Sequence, residues 1–154
     1  MTPDHVLYPK HTIQCGEIIS YRAWRWLNQD IINKNVHEIS RKIYDGPGLY
    51  SLVNDYKWTP KKIEMCKPDF GNFRGFYSFK RPIQTWAEVS SDSYFTTSYI
   101  VYGSIYNWGE MIEHKKGYRA QFAKIRSINW VTSKRFNYYN AFRIRSQIRE
   151  MYGV

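Results

Sequence analysis

The sequence of 154 residues has little cysteine, no long apolar run and few acidic side chains. Cys15 and Cys66 are too few for a disulfide scaffold or an all-cysteine zinc site, and we expect both thiols to be buried or inert. No apolar run approaches the about 20 residues of a membrane span, and no basic segment precedes an apolar stretch at the N-terminus. These absences predict a cytoplasmic protein without a metal or cofactor.

The chain also lacks the short motifs that mark common catalytic sites. It has no G-x-x-x-x-G-K-[ST] phosphate loop, no G-x-S-x-G nucleophile turn and no H-E-x-x-H zinc pattern. The sequence therefore favours a binding protein over an enzyme.

Leucine is also scarce, whereas isoleucine is frequent and aromatic residues make up 18% of the chain. β-Branched and aromatic side chains fit the pleated, half-buried surface of a sheet. Hydrophobic residues reach 43%, which is enough for one buried core in a chain of this length. We therefore expect a single α+β domain over residues 1–154, built mainly from strands.

Local patterns divide this domain into three parts. Residues 1–16 show no clear periodicity and are expected to form an irregular arm, followed by a β-rich core over 17–131. The spacing of apolar residues predicts a basic C-terminal helix over 138–152, with Phe142 among its apolar residues.

Alternation within the core predicts strands at 17–27, 49–53 and 75–80. Apolar residues spaced by four, three and four predict one internal helix near 30–44. Two prolines predict a loop over 57–71.

A long β-hairpin is the clearest pattern in the sequence. Its arms are expected at 98–114 and 118–131, joined by a turn whose glycine, Gly117, is expected to need a positive φ. Gly103 and Gly109 interrupt the first arm and predict a bulge or a tight bend. The expected fold is a strongly bent antiparallel sheet or a small open β-barrel, with the internal helix and the C-terminal helix packed on it.

Two segments resemble a pattern in a family of small uncharacterised bacterial and phage proteins. They are G-F-Y-S-F-K from Gly75 and W-G-E-M-I-E-H-K-K-G-Y-R-A from Trp108. The aromatic strand Y-R-A-W-R from Tyr21 and the W-T-P from Trp58 are part of the same resemblance, which spans residues 21–125.

The resemblance implies no activity that can be carried over to this chain. Some relatives have cysteines just before the G-[IF]-Y strand, where this chain has Asn72, Phe73 and Arg74. The resemblance therefore does not imply a metal site here.

Segregated charge is the strongest functional signal. The formal net charge is +10, and ten basic residues follow His114 with no acidic residue before Glu150. Such a cluster favours a polyanionic partner, which relieves the repulsion between like charges. Candidate partners are nucleic acid, a nucleic acid–protein complex or an acidic protein; the alternative is a solvated cationic face. The basic residues are Lys115, Lys116, Arg119, Lys124, Arg126, Lys134, Arg135, Arg143, Arg145 and Arg149.

Arg145 and Arg149 are four residues apart on the predicted helix and could straddle one phosphate. The alternative is an exposed helix face without a ligand.

Four tryptophans are candidates for stacking on bases: Trp24, Trp26, Trp108 and Trp130. Trp108 could form one wall of an aromatic cage, with Trp24, Trp26 or Tyr106 as the other walls. The alternative for each of these rings is burial in the core.

His114 is the best single catalytic candidate, because it lies close to glycines and charged residues. Glu113 and His114 point to opposite faces of a strand and so cannot act together there. Glu113 is instead expected to pair with Arg119 across the hairpin.

Three hypotheses follow. The first is a basic binding module that contacts nucleic acid through the surface between Lys115 and Arg149. If it comes from a phage, the module is expected to act in the host cytoplasm and to inhibit a host nucleic-acid-targeting system. The second is an enzyme acting on a nucleotide or phosphorylated substrate, with a pocket beside the Trp108 ring that is lined by His114, Arg119 and either Glu110 or Glu113. The third is a structural or assembly protein with a basic face.

Overall fold

The structure, a computed structural model, describes seven stretches of the chain. The helix predicted near 30–44, residues 1–9 of the predicted arm and the loop residues 66–71 lie outside the described residues. The described residues are 10–28, 46–52, 56–60, 63–65, 75–85, 99–132 and 138–154.

The described part of the chain forms seven strands, a long C-terminal helix and a short helical turn at 82–85. The mainly antiparallel sheet and the α+β class predicted from the sequence are confirmed. The elements are β1 (Lys10–Leu27), β2 (Gly48–Tyr50), β3 (Lys57–Trp58), β4 (Glu64–Met65), β5 (Phe76–Phe79), β6 (Tyr99–Glu113), β7 (Gly117–Thr132) and the C-terminal helix (Tyr138–Tyr152).

The sheet bends until it partly closes into a ring. β6 pairs with β1 on one side and β7 on the other, and β7 also pairs with β5. β5 returns to β1 through the pair Tyr21–Phe79. β2 and β3 extend the sheet from β1, and β4 lies beside β7. This incomplete ring agrees with the predicted bent sheet or small open barrel.

β1 is longer than predicted because it pairs with almost the whole of β6. Its first residues, 10–14, pair with 109–113 of β6. A register shift between Gln14 and Ile18 then inserts extra residues into β1. The prediction of an irregular arm is therefore wrong for residues 10–16, where the shift interrupts the alternation that marks a strand.

β2 and β5 confirm the strands predicted at 49–53 and 75–80, although β2 ends at Tyr50. The loop predicted over 57–71 is wrong where it contains β3 and β4. Each of these strands has two residues, so neither can show a period of two in the sequence.

β6 and β7 form the long hairpin that the sequence predicts. Gly109 has a φ of 87° and lies within the register shift between Trp108 and Met111. A second shift precedes Gly103, where an added Cβ would lie 2.1 Å from the Ser127 carbonyl oxygen. The predicted bulges at both glycines are confirmed.

Gly117 is required for a different reason from the one predicted. It has no positive φ, but an added Cβ would lie 2.1 Å from the carbonyl oxygen of Ser78. Glycine at this position therefore allows β7 to approach β5 closely, and the prediction of a left-handed turn residue is wrong.

The core lies on the inner face of the bent sheet and beneath the C-terminal helix. Ile144, Ile148 and Tyr152, spaced by four residues, pack against the inner-face residues Trp24 and Val101 in one buried cluster. Phe142, which the sequence places among the apolar residues of the helix, is instead 69% exposed.

The Arg22 guanidinium joins β1 to β5 and to the residue that follows β2. Its Nη1 donates to the Tyr77 carbonyl oxygen at 2.6 Å, and its Nη2 donates to Ser51 Oγ at 2.7 Å. The guanidinium also lies 4.9 Å from the centroid of the Trp58 ring. Desolvation lowers the pKa of Arg22 to about 10, because burial disfavours the charged form.

The Tyr152 hydroxyl connects the helix to β2 and β3. It accepts a hydrogen bond from the Leu49 backbone N–H at 2.8 Å and donates one to the Trp58 carbonyl oxygen at 2.7 Å. We expect Tyr152→Phe to lower the free energy of unfolding by about 1–3 kcal/mol, since it leaves two buried backbone groups unpaired. Urea unfolding followed by circular dichroism measures this loss.

Tyr118→Phe is the matched control, because the Tyr118 hydroxyl makes no hydrogen bond in the described part of the chain. Burial raises the pKa of Tyr152 from 10.0 to about 12. Its protonated form therefore stabilises the fold below pH 10, and this contribution is lost as the pH rises through 12. The difference in the free energy of unfolding between wild type and Tyr152→Phe should therefore narrow as the pH rises from 10 to 12. Equal losses of stability in Tyr152→Phe and Tyr118→Phe at pH 7 would contradict the two hydrogen bonds assigned to the Tyr152 hydroxyl.

Candidate functional site

The predicted basic residues fall in three separate places. Lys115 and Lys116 are exposed at the turn between β6 and β7, and Arg119 follows two residues into β7. Lys124 and Arg126 are exposed further along β7. Three arginines lie on the C-terminal helix: Arg143, Arg145 and Arg149. Lys134 and Arg135 lie outside the described residues.

The helix arginines and the β7 cations do not share a surface. Ile144 and Ile148 bind the helix to the inner face of the sheet. Lys124 and Arg126 flank Ile125, which points into the same core, so they project from the other face. Strand alternation and helix packing therefore separate these members of the predicted surface between Lys115 and Arg149.

Arg145 and Arg149, which the sequence suggested could straddle one phosphate, differ in their surroundings. Arg149 is exposed, but its Nε donates to the Val154 carbonyl oxygen at 3.1 Å. Arg145 is half-buried, and its Nε is enclosed without a hydrogen-bond partner in the described part of the chain. The two guanidinium groups therefore have different surroundings rather than a shared open position.

The outer face of the β6–β7 hairpin brings aromatic and basic side chains together. Val101 and Ile105 of β6 belong to the main core cluster beneath the helix, so the alternating positions lie on the opposite face of the strand. Cross-strand pairing places outward residues of β7 beside them. We call this set the outer strip; it consists of Tyr102, Tyr106, Trp108, Phe122, Lys124, Arg126 and Trp130.

Two stacked ring pairs lie along the outer strip. Tyr102 and Trp130 are cross-strand partners, with ring centroids 5.1 Å apart and planes inclined by 21°. Trp108 and Phe122 repeat the arrangement at 5.6 Å and 15°. Trp130 is 43% exposed, whereas burial of Tyr102 raises its pKa to about 12 by desolvation.

Between these ring pairs lie the two cations of the outer strip. Lys124 is the cross-strand partner of Tyr106. The Arg126 guanidinium lies 5.9 Å from the centroid of the Tyr106 ring, and its Nη1 donates to Ser104 Oγ at 3.3 Å. These contacts orient Arg126 along the strip, next to an aromatic face.

The segments that carry the outer strip contain no acidic residue: there is none over 102–109 or 118–132. The strip therefore presents aromatic surface and positive charge without a carboxylate of its own. Rings that stack on bases and cations that bind phosphates are the two elements of a single-stranded nucleic-acid surface.

Two of the predicted stacking residues belong to the core instead. Trp24 and Trp26 are 0% and 2% exposed, respectively. Trp24 packs edge-on against Trp58, with ring centroids 5.5 Å apart. Trp24 and Trp26 therefore cannot form an aromatic cage with Trp108, whereas Tyr106 does lie on the same face as Trp108.

His114 and Trp108, which the sequence suggested for one enzyme pocket, lie at different places along the hairpin. His114 is buried at the hairpin turn, and its backbone N–H donates to the Gly117 carbonyl oxygen at 2.8 Å. Six residues separate it from Trp108, which corresponds to about 20 Å along a strand. The structure therefore does not bring these two residues together, and the enzyme hypothesis stays a prediction.

The expected pair between Glu113 and Arg119 is wrong as well. Glu113 is the cross-strand partner of Tyr118, and its carboxylate lies 2.6 Å from Lys80 Nζ. Arg119 instead lies 6.0 Å from the centroid of the Tyr77 ring. The sequence could not reveal this register, which is set by the length of the turn and by the bulge at Gly109.

Two further findings concern cysteine and the possible ligands. Cys15 is exposed, so of the two expected alternatives, a buried or an inert thiol, burial does not apply to it, while Cys66 lies outside the described residues. Over the described stretches, no three His, Cys, Asp or Glu side chains are grouped as a metal site would require. No helix in these stretches is both long and apolar enough to cross a membrane.

Sequence reasoning missed Tyr102, and it did not pair Phe122 with Trp108. The signal was present, because the residues over 100–108 alternate along the first hairpin arm. Alternation defines two faces but does not tell which one is covered by a helix far away in the sequence.

No family model, curated protein or solved structure matches the chain. The resemblance to small bacterial and phage proteins therefore stays a prediction.

Accessibility of the outer strip can be measured by acrylamide quenching of tryptophan fluorescence. We expect Trp130→Phe to lower the quenched fraction clearly, because Trp130 is 43% exposed. Trp108→Phe should lower it less, since this ring is half-buried against Phe122. Unchanged quenching in Trp130→Phe would show that the outer strip is covered.

Proposed function

We propose that the protein is a non-enzymatic binding module that holds single-stranded nucleic acid on the outer strip. Bases would stack on the exposed ring of Trp130 and on the half-buried rings of the outer strip, and phosphates would contact Lys124 and Arg126. The observation that carries the proposal is the pair of cations set between two ring pairs, on segments that contain no acidic residue.

A single strand suits the outer strip better than a duplex does. In a duplex the base faces are stacked within the helix, and only the edges and the phosphates are accessible. Half-buried aromatic rings cannot stack on bases that are already stacked within a duplex, whereas the faces of unpaired bases are accessible to these rings. We therefore expect the binding affinity to depend weakly on base sequence and to be higher for unpaired strands than for duplexes.

An acidic protein is the competing partner. An acidic protein would complement the net charge of +10. It would contact mainly the two basic side chains of the outer strip and would leave most of the five aromatic rings without a role. Nucleic acid uses both kinds of side chain, because each nucleotide carries a phosphate and an aromatic base.

The proposed biological setting is the cytoplasm, where such a module can meet nucleic acid or nucleoprotein complexes. A protein that occupies single strands competes with any system that must read them. We therefore propose that the protein inhibits a nucleic-acid-targeting system by occupying the single strands which that system must read.

Fluorescence anisotropy with a labelled oligothymidylate tests the proposal. We expect Trp130→Ala to weaken binding by about tenfold or more, since each base stack is worth about 1–3 kcal/mol. The double variant Lys124→Gln/Arg126→Gln should also weaken binding, because it removes two contacts to phosphates. Unlabelled single strands should compete better than duplex of the same length.

The matched control is Arg143→Gln/Arg149→Gln, which removes the same charge from the helix. It should retain nearly full affinity. Loss of binding in this control with no loss in the outer-strip variants would overturn the proposal, and so would a wild-type protein that binds no oligonucleotide. Circular dichroism checks that every variant is folded.

A further inference from the structure

The structure gathers a second group of cations at the end of the β6–β7 hairpin. The Lys80 backbone N–H donates to the Lys116 carbonyl oxygen at 2.9 Å, which holds the end of β5 against the hairpin turn. Lys80 and Arg81 thereby join Lys115 and Lys116, although 34 positions separate the two pairs in the printed sequence. We call Lys80, Arg81, Lys115 and Lys116 the hairpin-tip cluster.

Only part of this charge is neutralised. Glu113 forms an ion pair with Lys80 at 2.6 Å between Nζ and Oε2. Arg81 and Lys115 are exposed, and their side chains have no hydrogen bond or ion pair in the described part of the chain. Arg119 adds a further cation two residues beyond the turn. The hairpin tip is therefore a site of excess positive charge.

The hairpin tip and the outer strip are two parts of the same two strands. Lys115 follows Trp108 by seven residues, two of them beyond the end of β6, and this corresponds to about 23 Å of extended chain. A nucleic-acid strand that leaves the ring pair of Trp108 and Phe122 can continue along the hairpin to the tip. Binding sites for single strands of about 4–16 nucleotides are common in domains of this size.

We propose that the hairpin-tip cluster binds backbone phosphates of the strand whose bases stack on the outer strip. This inference rests on the proposed function. It assigns the two regions different chemistry: the outer strip supplies mainly stacking, whereas Arg81 and Lys115 supply electrostatic contacts that depend on salt and not on the bases.

Salt dependence separates the two contributions. For single strands, each neutralised phosphate contributes about −0.7 to the slope of log K against log salt. We expect Arg81→Gln/Lys115→Gln to make the slope for a strand of about 12 nucleotides shallower by about 1.4, because two such contacts are lost. Trp130→Ala should weaken binding of the same strand and leave the slope unchanged.

Anisotropy titrations with oligothymidylate between about 50 mM and 200 mM salt give both quantities. The charge-matched control, Arg143→Gln/Arg149→Gln, should keep the wild-type slope. All four side chains are exposed, so these variants should fold, and thermal unfolding checks this.

The outcomes separate this inference from the proposed function. A wild-type slope in Arg81→Gln/Lys115→Gln, together with weaker binding by Trp130→Ala, overturns the hairpin-tip contact and leaves the outer strip in place. A slope that falls equally in the helix control also overturns the inference, since the effect is then one of net charge alone. If no strand binds to the wild-type protein, both the inference and the proposed function fail.

Discussion

The pairing of β6 with β1 on one side and β7 on the other is the interaction on which the rest of the structure depends. It places alternate residues of one strand on two opposite faces. Val101 and Ile105 enter the core beside Trp24, while Tyr102 and Tyr106 lie on the opposite face of the strand, where Tyr102 packs in a second buried cluster with Ala23 and Ile100. The same backbone hydrogen bonds that close the core therefore also form the outer strip.

The bend of the sheet makes this separation possible in a small domain. Gly103 and Gly109 allow bulges in β6, and Gly117 allows β7 to approach β5. The concave side is then filled by Ile148 and Tyr152 of the C-terminal helix. Aromatic residues make up 18% of the chain, which is enough to place rings both in the core and on the outer strip.

Period-two alternation was sufficient to predict β5, the hairpin and the α+β class from the sequence. It could not assign the faces, so Trp24 and Trp26 were stacking candidates with burial in the core as the alternative, and the structure buries both. It could not find residues 10–16 either, where a register shift breaks the pattern. Lys80 joins the hairpin tip through a contact far apart in the sequence, which no local pattern contains.

Ultraviolet cross-linking of oligothymidylate to the protein, with the linked residues located by mass spectrometry, tests the central claim most directly. Cross-links are expected on the peptides of β6 and β7 that carry Tyr106, Trp108 and Trp130, because stacked bases lie within bonding distance of those rings. Cross-links confined to the C-terminal helix, or none at all under conditions where the strand binds, would contradict the assignment of the outer strip as the binding surface.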